Sequence, residues 1–94
     1  MIKSFKCRQT EKIFDGEISK RFPVEIQTRA LRKLNLIDVS TKIDDLKKPA
    51  SNHLEILKGK LAGKYSIRIN DKYRICFSWI NKNAFDVEIV DYHE

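Results

Sequence analysis

The spacing of apolar residues changes character once along this chain, near Lys64. Upstream, "MIKSFK" alternates and predicts a short opening strand, and "TEKIFDG" predicts a short helix with Thr10 as cap and Gly16 as stop. Pro23 then opens the strongest helical stretch, "PVEIQTRALRKLNLID". There Ile26, Ala30, Leu34 and Ile37 recur at helical spacing, with Leu31 widening the stripe, while Glu25, Arg29, Arg32 and Lys33 fall on the other side. "TKIDDLKKP" reads as a connecting turn, and "HLEILKGKLAGK" as extended or turn chain in which Gly59 and Gly63 bar a helix. From Lys64 the period becomes two. "KYSIRIN", "YRICFSWI" and "AFDVEIVDY" are three strands joined by "NDK" and "NKN". The order predicts an α+β fold, with two N-terminal helices packed on one face of a mostly antiparallel sheet.

Turn parity then sorts the strand residues onto two faces. A three-residue loop at Asn70-Asp71-Lys72 sets Arg68 opposite Arg74, Ile67 opposite Ile75 and Tyr65 opposite Phe77. A three-residue loop at Asn81-Lys82-Asn83 pairs Trp79 with Phe85, Phe77 with Val87 and Ile75 with Ile89. One face is then apolar: Tyr65, Ile67, Ile69, Ile75, Phe77, Trp79, Phe85, Val87 and Ile89. The other carries Arg68, Arg74, Cys76, Ser78, Glu88, Val90 and Tyr92. A two-residue first loop would place Arg74 beside Ile67 and mix charge with core. Two arginines facing each other across a strand pair repel. Ion pairing to Glu88 or Asp86 would offset this; so would an anion such as phosphate held between the forked guanidinium groups.

Length and composition add bounds. Ninety-four residues make one domain, 1–94, without repeat, linker or low-complexity tract. Lys and Arg number 19 against 13 Asp and Glu, a formal net charge of +6, which favours a polyanionic partner. Cys7 and Cys76 read as packed, reduced thiols rather than a disulfide framework. Neither a signal-peptide core nor a membrane span is present, which points to the cytoplasm. The sequence has no glycine-rich phosphate loop and no Cys/His group at metal-ligand spacing, so neither a metal nor a cofactor is expected.

What remains for chemistry is a basic sheet face with Arg68, Arg74 and Tyr92, approached by Lys58 and His93. At this point the order of "LKG", "YSIRIND", "YRICF" and "VEIVDYH" resembles the HigB-type toxins of the RelE/ParE superfamily, over nearly the whole chain. The resemblance implies a RelE-like fold and a ribosome-dependent endoribonuclease that cuts messenger RNA in the decoding site and halts translation. It also implies a HigA-type helix-turn-helix antitoxin that neutralises the toxin and carries the pair to operator DNA. Cleavage by the RNA's own 2′-hydroxyl needs a base, positive charge for the phosphorane-like transition state and an acid for the leaving oxygen.

By that resemblance the catalytic set is Arg68, Arg74, Lys58, Asp91, Tyr92 and His93. The arginines supply charge, Lys58 contacts phosphate, and Tyr92 stacks on a base or handles a proton. His93 belongs to the one residue type in this set whose reference pKa lies near 7. Some HigB-type members carry a histidine three positions ahead of the "LKG" lysine; here His53 stands five ahead of Lys58 and joins the set as a looser match. Lys20, Arg21, Arg29, Arg32 and Lys33 would grip ribosomal RNA without reading its sequence. Two other readings share the fold: a non-enzymatic inhibitor, such as a gyrase-directed ParE-like toxin, and an inactive toxin kept for its operator complex.

Overall fold

In the computed structural model, which describes residues 1–61 and 63–91, two helices and a four-stranded sheet share one core. Helix α1 spans Arg8–Phe14 and α2 spans Val24–Val39. Strands β1 (Glu55–Ile56), β2 (Lys64–Arg68), β3 (Tyr73–Ile80) and β4 (Asn83–Asp91) lie in that order, each antiparallel to its neighbour. Single 3₁₀ turns at Ile43–Lys47 and Ala50–Asn52 carry the chain from α2 to the sheet edge. Leu46, fully buried, anchors this crossing.

The helical stripe does what its spacing requires. Ile26, Ala30, Leu34 and Ile37 are buried against Ile67, Ile75, Phe77, Val87 and Ile89 of the sheet. Burying such a face contributes most of the stability available to a domain this small. Gly16 ends α1 with φ +87°, a conformation that suits a residue without Cβ.

Thr10 is not a cap. It sits wholly buried inside α1, and its hydroxyl accepts the N–H of Ile89 at 2.9 Å, satisfying a backbone donor of β4. The opening stretch is also less regular than a strand. Ile2 and Phe5 form isolated parallel bridges to Ala84 and Val87, so residues 1–6 cover the outer edge of β4. The sheet gains a strand the period did not reveal, because β1 is two residues long and both are exposed.

The two hairpins divide the parity argument. At the first, Asn70 Oδ1 accepts the N–H groups of Lys72 (2.9 Å) and Tyr73 (2.8 Å), and the predicted register holds at Tyr65–Phe77, Ile67–Ile75 and Arg68–Arg74. At the second, the loop has two residues, not three. Asn81 and Lys82 both take positive φ (49° and 68°), and Ile80 pairs with Asn83. Trp79 therefore opposes Ala84, and Phe85 opposes Ser78 on the other face; Ala84, not Phe85, fills the core. A bulge then restores the register. Ser78 pairs with Phe85 but Cys76 with Glu88, so Asp86 and Val87 together oppose Phe77, with Asp86 at φ +54°. Beyond it Ile75 meets Ile89 as expected.

A candidate RNA-cleaving face and its basic cleft

Arg68 and Arg74 are ladder partners on the sheet face away from the helices. Their surroundings differ. Arg74 is 7% exposed. Its Nε donates to Ser66 Oγ at 2.8 Å, and its Nη2 donates to the carbonyls of Ser66 (3.2 Å) and His53. Its Nη1 lies 3.7 Å from Glu55 Oε1. Among the described residues the ion pair falls to Glu55, brought by the β1 edge, rather than to the expected Glu88 or Asp86, and Glu88 faces Lys6 at 3.9 Å. Among the described residues, acceptors on Ser66, His53 and Glu55 hold the guanidinium in one orientation, and the link to His53 ties the loop before β1 to the sheet.

Arg68 is open. Its side chain, 35% exposed, pairs with Asp71 in the β2–β3 turn. It lines a cleft of about 700 Å³ with Arg29, Arg32 and Lys33 of α2 and with Asn70 and Asp71. Arg29 donates to the Ile69 carbonyl at 3.2 Å, and Lys33 donates to the buried Asn52 side chain. Asn52 in turn donates to the carbonyls of Leu46 (3.1 Å) and Lys48 (3.2 Å), which fixes the crossing segment against α2. Partial burial, and then the charge of Arg29, hold the Lys33 ammonium below the ordinary lysine range.

A second cleft of about 780 Å³ opens at the far end of β4, between Lys6, Arg8, Arg21, Tyr73, Glu88 and Asp91. Asp91 is exposed there and lies 3.8 Å from Lys72 Nζ. Arg21 is placed by Gln27, which bonds both the N–H (2.9 Å) and the carbonyl (2.7 Å) of Ser19 and the Phe22 carbonyl (2.8 Å).

Lys20 is exposed on the same loop, and Lys58 is exposed just after β1. His53 is exposed, with φ 43°, and contributes its carbonyl to Arg74. Tyr92 and His93 lie outside the described residues. So Arg68 joins Arg29, Arg32 and Lys33, whereas Arg21 joins Asp91 on the other cleft. Among the described residues no three His, Cys, Asp or Glu side chains are placed to hold a metal.

Sequence reasoning missed Ser66, Glu55 and Asp71. Ser66 alone left a signal, a small polar residue amid β-branched and aromatic neighbours on the arginines' side of β2. The two thiols are free. Burial, reinforced by the charge of Glu88, pushes Cys76 up from 9.0 to about 11. Cys7 goes the other way. Burial pushes it up, but hydrogen bonds from Thr10 and Gln9 and the charge of Arg21 bring it below 9.0 overall.

Residues 3–93 match the family model described as RelE-like toxin of type II toxin–antitoxin system HigB. The chain is 34% identical over 87 residues to "Toxin HigB-1" of Vibrio cholerae serotype O1, covering 92% of each protein. It is 33% identical over 93 residues to "Endoribonuclease HigB" of Proteus vulgaris, covering 99% of this chain and all of that one. The fold resembles the YoeB–YefM complex from Staphylococcus aureus (TM-score 0.62, 20% identity, 100% and 99% of the two chains covered). It also resembles YafQ from E. coli strain BL21(DE3) (TM-score 0.65, 9% identity, 98% and 94% covered). With a full-length family match, and a sheet face and clefts rich in arginine and lysine, the chain belongs to the HigB-like family of RelE-like toxins from type II toxin–antitoxin systems.

Proposed function

We propose that this single-domain toxin is an endoribonuclease that cuts messenger RNA held in the ribosome and so halts translation. The observation that carries the proposal is the Arg68–Arg74 pair on one sheet face, the second arginine locked by Ser66, His53 and Glu55. A donor already oriented before the reaction needs no reorganisation when charge builds on the scissile phosphate, and electrostatic stabilisation of this kind is among the largest contributions to catalysis. The nucleophile is the RNA's own 2′-hydroxyl, so the scheme calls for side chains alone.

Arg74 supplies fixed charge from beneath the face, and Arg68 supplies charge at its rim. Lys58 contacts phosphate. Proton transfer falls to the group His53, Asp91, Tyr92 and His93. The basic residues Lys20, Arg21, Arg29, Arg32 and Lys33 grip ribosomal RNA, and the ribosome positions the message, which by itself lowers the barrier substantially. A HigA-type helix-turn-helix antitoxin neutralises the toxin in the cytoplasm and carries the pair to operator DNA.

Primer extension on messenger RNA after brief induction tests the reading. Discrete cuts that disappear when translation is blocked are the expected result. Intact messages with arrested synthesis would overturn it, and DNA damage in their place would identify a gyrase-directed toxin.

A further inference from the structure

The cleft beside α2 gathers four cations, three of them resting on internal partners. Arg68 rests on Asp71, Arg29 on a backbone carbonyl, and Lys33 on Asn52. Arg32 is exposed and makes no hydrogen bond or ion pair among the described residues. Cations concentrated in one concavity repel each other and draw in an anion. Partial burial, and after it the charge of Arg29, depresses the Lys33 ammonium in this cleft. Leu36 and Pro49 also line the cleft, apolar side chains among the charges. That pairing suits a nucleotide, with its base against the apolar side chains and its phosphate on the guanidinium groups.

We infer that this cleft binds the phosphodiester backbone of RNA, and that Asp71 is a built-in competitor that occupies Arg68 until an RNA phosphate displaces it. The inference takes RNA as the substrate class from the function proposed above. The Asp71 side chain is 94% exposed, and ion pairs so open to water are weak. A phosphate offers the same charge with more acceptor oxygens in the geometry of the arginine fork. Asp71 lies in a turn already closed by Asn70, so its carboxylate is not needed to hold the hairpin.

Fluorescence anisotropy of the full chain with a 2′-O-methyl RNA dodecamer, which cannot be cut, tests this between 50 and 200 mM salt. Asp71→Asn is expected to tighten binding by about two- to fivefold, the range an exposed ion pair represents. Arg32→Ala is expected to weaken it and to reduce the slope of log affinity against log salt by about 0.7, one phosphate contact on a single strand. No binding by the parent at 50 mM salt, or affinities unmoved by both substitutions, would overturn the inference. If messages are still cut in the primer-extension experiment, that failure concerns the cleft alone. A glutamate-rich peptide that competes with the dodecamer more strongly than an unlabelled RNA dodecamer would also overturn it, assigning the cleft to an acidic protein segment.

Discussion

Arg68 and Arg74 are the same residue type, directly paired across one hairpin, yet one is sealed and the other open. The difference comes from what stands at the sheet edge. β1 pairs with β2 through Glu55–Ser66 and Ile56–Tyr65, bringing Glu55 and the His53 carbonyl to Arg74. Arg68 lies beyond the end of β1; among the described residues its guanidinium pairs with the turn at Asp71 and shares a cleft with the basic side of α2. A two-residue edge strand thus decides which arginine is fixed in the scaffold and which is left to bind. A buried charge must be held by several acceptors at once, whereas an exposed one can exchange its partner.

The strongest way to break this comparison is Arg74→Ala. It strands the acceptors of Ser66 and His53 and releases the β1 edge, at about 3 kcal/mol for the lost charged hydrogen bonds. For a domain of this length that lowers Tm by more than about 10 °C, measurable by thermal unfolding. Arg74→Lys keeps the charge without the fork and is expected to fall between parent and alanine. An unchanged Tm in both variants would show that the network does not stabilise the fold.

Thiol chemistry separates the regions next. Cys76 lies on the sealed side, raised to about 11, and Cys7 lies on the open second cleft, lowered from 9.0. Because the thiolate is the nucleophile, iodoacetamide at pH 8 is expected to modify Cys7 at least tenfold faster, read by mass spectrometry. The raised thiol also has a pH consequence. Folding holds the Cys76 proton that the unfolded chain releases from about pH 9, so its contribution is intact below pH 9 and is lost as pH rises towards 11. Cys76→Ala is expected to flatten that part of the stability profile.

Smaller effects refine the contrast. Glu55→Gln retains shape and removes one half-exposed charge, with an expected loss of about 0.5–1 kcal/mol in chemical denaturation. Arg68→Ala is expected to change stability by less than about 0.5 kcal/mol, since its partner is in solvent. A large loss at Arg68 would erase the distinction between the two arginines.

The sequence by itself determined the helical stripe of Ile26, Ala30, Leu34 and Ile37 and the register of the first hairpin. Both are local: a helix repeats its own face, and a turn of known length fixes parity. It also placed both arginines on the face opposite the helices. Only the tertiary structure decided the rest. The second hairpin combines a shorter turn with a bulge at Asp86, two one-residue offsets that cancel in the distal register but exchange Ala84 for Phe85 in the core. β1 was too short to show a period, and its pairing brought Glu55 to Arg74. The basic cleft needed α2 to be laid beside the β2–β3 turn, about forty residues away in sequence (Arg29 to Ile69). Which charge is buried and which is free depends on neighbours distant along the chain, and no local spacing encodes them.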